Sequence, residues 1–287
     1  MNILVTGGSG FIGGHTVDGL VRAGHHVRVL DLKDLHRADV EVARGDITSM
    51  DDVARALKDI DVIYHIAAFS NIDMVKDNPL TTVESNIMGT ACLLEGCRHL
   101  NIKRFVFASS VYVHDERGHL YTTCKLASEM LCRNYSSLYG LPYTILRYGT
   151  AYGPRSRNAD VVSIFVDRAL RGQNLIVRGG GKQSRHFIYV DDLVEANVLA
   201  LKPVATNRTY VVVGPQPVAV ETLAQMVKEM APTKIEIEHE PSREDDYLGE
   251  VSGIDLPNID LGWKPQIDIR EGLRRYIEWY RENMPVR

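Results

Sequence analysis

The sequence lacks any arrangement of cysteines or histidines that is typical of a metal site. Its four cysteines form no C-x-x-C pair, and none of its ten histidines occurs in a pattern such as H-E-x-x-H. A chain of 287 residues can bury a large core without disulfides. We therefore expect neither a catalytic metal nor a disulfide framework.

Basic runs and long apolar segments are also missing. The net charge is −4 with no block of lysine and arginine, which argues against a nucleic-acid partner. No apolar run approaches the roughly 20 residues that span a bilayer, and the first residues, MNILVTGG, have no basic region. With 45% apolar and 24% charged residues, the composition is that of a globular protein, which we expect in the cytosol and without a membrane partner.

Short β-rich runs alternate with helical patterns through the first two thirds of the chain. Such alternation is typical of an α/β fold with a doubly wound parallel sheet. The predicted strands are Ile3–Thr6, His26–Leu30, Val62–Ala67, Arg104–Ala108 and Tyr143–Arg147, and the predicted helices are Phe11–Ala23, Asp51–Lys58, Pro79–His99 and Tyr121–Tyr139.

In the last third of the chain, glycine and proline turns separate the predicted elements more often. A capping-box pattern, Asp192-x-x-Glu195, predicts a helix through about Leu201. The later predicted elements are a strand at Tyr210–Val213, a helix near Glu221–Met230, a strand near Lys234–Glu238 and a helix near Arg270–Asn283. We predict a dinucleotide-binding domain at 1–150, to which 187–213 returns, and a smaller interleaved α/β substrate lobe at 151–186 and 214–287.

A glycine-rich loop follows the first predicted strand. Gly7, Gly10 and Gly13 form G-x-x-G-x-x-G, and Phe11 and Ile12 open the next helix. Glycine lets the backbone approach a pyrophosphate, which then meets the helix N-terminus. A glycine-rich turn without a ligand is the alternative, but the order of strand, loop, helix, strand and acid favours a Rossmann-type site.

The acid of this pattern also bears on the choice of cofactor. Asp31 ends the next strand, 18 residues beyond Gly13, with Leu32 beside it. A carboxylate there accepts hydrogen bonds from an adenosine ribose and repels a 2′-phosphate, which favours NAD over NADP. Lys33 and Arg37 lie close by and leave open that either one reaches a phosphate.

A tyrosine and a lysine four residues apart open the helix after the strand Arg104–Ala108. This spacing places Tyr121 and Lys125 on one helix face, and Ser110 precedes them. Tyrosinate at neutral pH requires the tyrosine pKa to fall by about 3 units, which we expect an adjacent ammonium and an oxidised nicotinamide to supply. A chance Y-x-x-x-K and a serine that only caps a strand are the alternatives. The dinucleotide loop upstream favours hydride-transfer chemistry.

With these blocks in order, the sequence resembles the extended short-chain dehydrogenase/reductase superfamily, and within it the nucleotide-sugar epimerase/dehydratase family. The matching blocks are TGGSGFIG, Asp31, Gly45-Asp46-Ile47, His65-Ile66-Ala67-Ala68, Asn86-x-x-Gly89-Thr90, Ala108-Ser109-Ser110, Tyr121-x-x-x-Lys125, LRYGTAYGPR, SRHFIYVDDL and LGWKP. They extend over nearly the whole chain.

The resemblance implies roles for several further residues. Asp46 and Ile47 would line the adenine, and Ala67 and Ala68 would pass under the pyrophosphate. Asn86 would help to hold the cofactor, with Tyr148 near the nicotinamide. Arg185 and Arg243 would meet a nucleotide diphosphate, the alternative being two solvated surface arginines.

Three departures from the family pattern bear on the substrate. Only ten residues separate Ser110 from Tyr121, where similar enzymes have a longer loop. Thr150, a substrate-binding candidate, stands where epimerases have asparagine. Val111-Tyr112 replaces the Asp-Glu pair of sugar 4,6-dehydratases, which disfavours elimination of water.

The sequence therefore predicts an NAD-dependent UDP-sugar 4-epimerase in which oxidation at sugar C4 is transient. An NAD(P)-dependent oxidoreductase acting on a keto-sugar or another carbonyl is the first alternative, and a non-catalytic NAD-binding regulator is the second. We also expect a homodimer formed by the helices Pro79–His99 and Tyr121–Tyr139, on which Leu93, Leu94, Met130 and Leu131 are apolar.

Overall fold

The computed structural model describes residues 1–70, 72–114, 119–156, 160–241 and 260–284. Contacts between Cα atoms divide the chain into two compact units. The first unit contains Met1–Tyr148, Val194–Val211 and the described residues 260–263. The second contains Gly149–Leu193 and the described residues 212–241 and 264–284.

The first unit is built from alternating strands and helices. Its strands are β1 (Asn2–Thr6), β2 (His26–Asp31), β3 (Glu41–Arg44), β4 (Val62–His65), β5 (Arg104–Ser110) and β6 (Tyr143–Tyr148). Its helices are α1 (Phe11–Arg22), α2 (Met50–Ala56), α3 (Ile72–Asp77), α4 (Pro79–Val83), α5 (Gly89–Arg98) and α6 (Leu120–Tyr139).

The second unit contains shorter elements, and two elements extend across the division. Its own elements are β7 (Thr150–Tyr152), α7 (Val161–Leu170), β8 (Leu175–Arg178), β9 (Ser184–Arg185), β10 (Phe187–Tyr189), β12 (Val218–Ala219), α9 (Val220–Met230), β13 (Ile237–Glu240) and α10 (Ile269–Asn283). The elements that extend across are α8 (Val190–Leu199) and β11 (Arg208–Val212).

Seven of the described strands form one parallel sheet in the order β11-β6-β5-β4-β1-β2-β3. The predicted Rossmann-type α/β fold is confirmed. The strand order reverses between β1 and β4, and ligands of such sheets bind beyond the carboxyl ends of the strands at this point. The fold therefore predicts a ligand site at the loops after Thr6 and His65.

The central strands are apolar on both faces, as a sheet covered by helices requires. All seven residues of β5 and all four of β4 are buried. Alternate side chains point to opposite faces. Ile63 packs in a core with Phe105 and Leu93, whereas the hydroxyl of Tyr64 donates to the backbone oxygen of Asn197 in α8.

The second unit has its own core. Its buried side chains come from α7, α9, α10 and the short strands, among them Phe165, Leu223 and Tyr276. The helix α10 is amphipathic: one face is polar, and the other carries apolar residues at helical spacing, of which Leu273, Tyr276 and Tyr280 are buried. No helix in the described ranges is long and apolar enough to cross a membrane.

Several predicted elements differ from those observed. The predicted helix Pro79–His99 contains a π-helical turn at Glu84–Met88, between α4 and α5. The predicted strand at Val62–Ala67 ends at His65. The strand β3 was not predicted, and the strand expected near Lys234–Glu238 is Ile237–Glu240.

Two predictions about individual side chains were wrong. Asp192 does not open a helix, because α8 begins at Val190 and the Asp192 carboxylate accepts hydrogen bonds from the backbone of Gln266 and Ile267. Leu93 and Leu94 are completely buried inside the first unit and have no area with which to contact a second subunit.

Candidate active site

The glycine loop brings the ends of β1 and β4 into direct contact. Gly7 has φ +72°, and a Cβ atom there would lie 2.7 Å from both the Cα and the nitrogen of Ala67. A Cβ atom at Gly13 would overlap the Gly7 carbonyl oxygen, to which Gly10 N donates at 3.0 Å. These glycines therefore allow close backbone packing as well as access for a ligand.

The helix that follows the loop begins without a side-chain cap. Gly10 occupies the N-cap of α1 and makes no side-chain cap hydrogen bond to the first turn, where Phe11, Ile12 and Gly13 lie. Their N–H groups and the positive end of the helix dipole suit an anion such as a pyrophosphate. The residues present therefore fit the dinucleotide that the motif predicts.

Asp31 is held in place by the backbone. Its carboxylate accepts hydrogen bonds from Ser9 N and Lys33 N, both at 3.0 Å. Leu32 beside it is 61% exposed. Arg37, which the sequence left open as a phosphate ligand, donates to the carboxylates of Asp18 and Asp39. The Arg37 guanidinium is therefore bound to two carboxylates in this structure and not directed to a phosphate site.

The predicted adenine-pocket residues form the turn before α2. The Asp46 carboxylate accepts hydrogen bonds from Thr48 N and Thr48 Oγ1, both at 2.9 Å. Ile47 is buried, and a Cβ atom at Gly89 would overlap its side chain. Asp46 therefore orders this turn, and Gly89 makes room for Ile47.

Asn86 acts on the segment that contains Ala67 and Ala68. Its side-chain oxygen accepts from Phe69 N at 2.8 Å, and its side-chain nitrogen donates to Phe69 O at 3.0 Å. Ala67 N donates to Thr6 Oγ1 at 3.2 Å. Asn86 lies in the π-helical turn, a distortion that is common at functional sites.

A buried histidine connects these elements, and sequence reasoning gave it no role. His65 Nδ1 lies 2.8 Å from Thr6 Oγ1, and His65 Nε2 lies 2.9 Å from Thr90 Oγ1. Thr90 Oγ1 donates to the Asn86 carbonyl. Burial, and secondarily the Lys125 charge, lowers the pKa of His65 to about 3, so the imidazole is neutral. The H-x-A-A block was visible in the sequence, but its partners were not.

The predicted catalytic pair lies at the start of α6, beside the end of β5. Lys125 is buried, and its Nζ donates to Ala108 O at 2.6 Å and lies 5.6 Å from the centre of the Tyr121 ring. Ser110, the last residue of β5, accepts a hydrogen bond at Oγ from Tyr112 N at 3.3 Å. The i, i+4 spacing thus brings the lysine to the tyrosine as predicted.

The protein surroundings alone do not lower the pKa of Tyr121, and the predicted tyrosinate depends on an oxidised nicotinamide as well as on Lys125. Burial raises it well above its usual value, and Tyr112 and Cys124 add to the effect. Burial also lowers the pKa of Lys125 to about 8. Desolvation disfavours the charged form of each group, the tyrosinate and the ammonium alike.

The remaining predicted residues lie at the end of β6 and in the second unit. The Tyr148 hydroxyl donates to Asn197 Oδ1 at 2.6 Å, which leaves the backbone of Tyr148 as the part suited to a cofactor. Thr150 pairs with Phe187 between β7 and β10. Arg185 is half-buried in β9 and donates to Ser184 O. Arg243 lies outside the described residues.

Comparisons with known proteins identify the family of the chain. The family model described as "NAD dependent epimerase/dehydratase family" matches residues 3–214. A putative UDP-glucose 4-epimerase of Methanocaldococcus jannaschii is 35% identical, over 98% of this chain and 99% of that protein. A UDP-N-acetyl-alpha-D-glucosaminuronate decarboxylase of Bacillus cytotoxicus is 29% identical over 97% of each chain.

Among solved structures, the UDP-glucose 4-epimerase of Thermotoga maritima with UDP-glucose is similar along the whole chain. Its TM-score is 0.93 at 30% identity, with 99% of this chain and all of that chain covered. The predicted superfamily is confirmed, and so is NAD as the cofactor on which the family depends. The chain belongs to the NAD-dependent epimerase/dehydratase family of extended short-chain dehydrogenases/reductases, an enzyme family.

Proposed function

We propose that the protein is an NAD-dependent UDP-sugar 4-epimerase. The observation that carries this proposal is the placement of Tyr121 and Lys125 on one face of α6, with Lys125 attached to Ala108 beside Ser110. A tyrosine, an ammonium and a serine at the carboxyl end of a Rossmann-type sheet suit the removal of a proton from an alcohol whose carbon is oxidised.

The residues of the first unit that would hold NAD form three groups. The first turn of α1 and Ala67–Ala68 would meet the pyrophosphate, and Asp31 would accept hydrogen bonds from the adenosine ribose. Asp46 and Ile47 would line the adenine, with Asn86 fixing the loop after β4. When bound, NAD supplies a reversible hydride acceptor, so that an epimerase cycle has no net redox change.

The proton chemistry belongs to the protein. Tyr121 Oη would take the proton of the sugar 4-hydroxyl, and Ser110 Oγ would hydrogen-bond the same oxygen. The buried Lys125 ammonium stabilises the developing tyrosinate, which burial alone disfavours. Tyr121 would return the proton after the ketone turns its other face, so the same residue acts as base and then as acid.

The second unit would recognise the nucleotide. We infer that Arg185 binds the diphosphate, because a planar guanidinium can donate to two phosphate oxygens at once. Arg243 and Thr150 are the other proposed contacts. A free sugar or a simple carbonyl would leave Arg185 without this use.

A thermal-shift panel tests the nucleotide part of the proposal. With NAD present, we expect UDP or a UDP-sugar to raise Tm more than GDP-, dTDP- and CDP-sugars do, and Arg185→Ala to abolish most of the rise. Arg178→Ala is the matched control, because Arg178 lies in the same unit and pairs with Glu240. If only a free sugar or a small carbonyl stabilises the protein, the nucleotide-sugar assignment is wrong.

Product analysis separates the epimerase from its relatives and rivals. Incubation of the NAD-loaded protein with UDP-glucose should yield its C4 epimer, with no NADH accumulating. Stoichiometric NADH or consumption of added NADH would instead favour a net oxidoreductase. Release of carbon dioxide from a UDP-sugar acid would favour a decarboxylase, since oxidation at C4 makes the C6 acid a β-keto acid.

We also propose a homodimer in which the segment α4–α5 and α6 of each subunit pair. Four apolar side chains on these helices are 40–84% exposed, namely Leu80, Met88, Leu126 and Met130. Large apolar side chains that share one surface favour an interface. Two of the side chains that the sequence predicted for the interface lie on α6: Met130 is 56% exposed, and Leu131 is partly buried.

A further inference from the structure

A carboxylate without any exposed area lies one helical turn after Lys125. Glu129 is completely buried, and each of its two carboxylate oxygens accepts two hydrogen bonds. Oε1 accepts from Ser109 Oγ at 2.7 Å and from Arg147 Nε at 2.8 Å. Oε2 accepts from a terminal nitrogen of Arg147 at 2.7 Å and from one of Arg133 at 2.9 Å.

These contacts join three elements that meet at the candidate site. Ser109 belongs to β5, Arg147 to β6 and Glu129 to α6. Lys125 donates to Ala108 O, and one turn later Glu129 accepts from Ser109. The helix that carries Tyr121 is therefore attached at two successive residues of β5, immediately before Ser110.

A buried ion pair of this kind is a weak source of stability. Removing a carboxylate from water is costly, and the attraction to its partners roughly offsets that cost. Although burial favours the protonated form of Glu129, hydrogen bonds from Arg147 and Ser109 hold its pKa below the usual value. Since the Glu129 ion pair adds little stability, its presence at a completely buried position needs a reason other than stability.

We propose that Glu129 is a positioning residue, which with Arg147 and Ser109 sets the place of Tyr121 and Lys125 relative to Ser110 and supplies the negative charge that keeps Lys125 an ammonium. The inference rests on the proposed hydride-transfer function. It assigns to this cluster a role that none of the sequence motifs required.

The charges around Lys125 support the second half of this role. On its own helix, burial raises the pKa values of Cys124 and Cys132, which keeps both thiols neutral. Tyr121 is neutral for the same reason, and on β4 the buried His65 is neutral. Cys132 and Cys124 raise the pKa of Lys125 only as thiolates, so Glu129 is the permanent anion among the described groups that act on it. Glu129 opposes the burial that lowers the lysine pKa to about 8.

Two substitutions separate charge from position. Glu129→Gln removes the charge and replaces one of the two accepting oxygens by a donor, so it affects both charge and position. Ser109→Ala removes one hydrogen bond and keeps the charge, so it affects position alone. The matched control is Glu95→Gln, because Glu95 is a half-exposed carboxylate on α5 that accepts from Tyr135 of α6. All proteins are compared loaded with NAD, after Tm and bound NAD have been measured.

The first readout is the dependence of kcat on pH. Deprotonation of Lys125 should lower kcat as the pH rises through the lysine pKa, and removing a nearby anion should move this alkaline limb to lower pH, by roughly one unit. Misplacing a catalytic group by about 1 Å can cost about a hundredfold, which is the loss in kcat expected for Glu129→Gln. Ser109→Ala should lose about tenfold in kcat with its limb in place, since a smaller displacement costs less. Glu95→Gln should resemble the unaltered protein.

The second readout needs no substrate. Ionisation of Tyr121 is followed as the tyrosinate absorbance that disappears when Tyr121→Phe is introduced into each variant. Glu129→Gln should move this ionisation to higher pH, because a neutral Lys125 no longer stabilises the tyrosinate. If this titration shifts while no UDP-sugar is epimerised, the proposed function fails and the role of Glu129 stands.

A uniform fall in kcat without a shifted limb would mean that Glu129 is only structural. If Glu129→Gln does not fold, Ser109→Ala and Glu129→Asp decide. The shorter acid should keep the limb of the unaltered protein while kcat falls. The proposal is overturned if kcat is unchanged in both variants. It is also overturned if Glu129→Asp, which keeps the charge, moves the alkaline limb to lower pH by roughly one unit.

Discussion

Replacing Gly7 by alanine tests whether the glycine loop is required for backbone packing. Alanine at φ +72° costs about 1–2 kcal/mol because Cβ approaches the following carbonyl. Its Cβ would also lie 2.7 Å from two backbone atoms of Ala67, whose N–H donates to Thr6 Oγ1. Overpacking of this kind costs about 1–3 kcal/mol more. We therefore expect Gly7→Ala to lose about 2–5 kcal/mol of unfolding free energy.

Gly140 is a matched control for this substitution. It also has φ +72°, at the C-terminal end of α6, but a Cβ atom there would have nothing within 4 Å. Gly140→Ala should therefore cost only the conformational part, about 1–2 kcal/mol. The difference between the two variants isolates the contact between the loops after β1 and β4.

Thermal unfolding followed by circular dichroism measures this difference. One kcal/mol lowers Tm by about 2–4 °C in a chain of this size class, so Gly7→Ala should unfold several degrees below Gly140→Ala. It should also lose bound NAD, because the displaced loop carries the proposed pyrophosphate site. Equal values of Tm and NAD content in the two variants would refute the close-packing explanation.

Three further outcomes are expected. NAD should bind at least about tenfold more tightly than NADP, a difference of about 1.4 kcal/mol, because Asp31 is the proposed partner of the adenosine ribose; equal affinities in a titration would point to Lys33 or Arg37. Tyr121→Phe should keep its Tm and its NAD but lose at least about a hundredfold in turnover, and a variant with most of its activity would show that Tyr121 is not the base. Met130→Lys should convert a dimer to a monomer in light scattering, whereas an unaltered protein that is already monomeric at micromolar concentration contradicts the interface.

The first unit could be predicted from local patterns because its elements are locally consistent. Apolar runs such as Val62–His65 and the glycine loop before Phe11 signal a buried strand and a helix start without reference to the rest of the chain. The strand β3 gave no such signal. Its residues Glu41–Arg44 are partly exposed at the edge of the sheet, where one valine is the main apolar residue.

Features that depend on packing were not predictable in this way. Nothing in the order of residues at Glu84–Met88 marks a π-helical turn, since the same side chains suit an α-helix. The capping pattern at Asp192 was misleading because the carboxylate pairs with backbone 74 and 75 residues away. Leu93 and Leu94 pack in the core that α5 forms with the sheet, a contact that the sequence of α5 alone does not reveal.

The same distinction applies to the candidate site. Tyr121 and Lys125 could be paired from the sequence because four residues separate them on one helix. Glu129 lies on the same face, but its partners Arg147 and Ser109 are 18 and 20 residues away, on two different strands. Their meeting follows from the order of β5 and β6 in the sheet, which no local pattern contains.

The tyrosine pKa shows which part of the prediction depends on the cofactor as well as on the protein. Sequence reasoning counted the ammonium and the oxidised nicotinamide, which lower this pKa, and had no measure of the burial that raises it. In the structure, burial acts on both members of the pair, raising the pKa of Tyr121 and lowering that of Lys125. Each shift favours a neutral pair, so the protein alone holds Tyr121 as a phenol. The charge that makes it a base must therefore come from outside the pair, from a cationic nicotinamide and from whatever keeps Lys125 protonated. That requirement gives a completely buried carboxylate one turn away a chemical reason to be there.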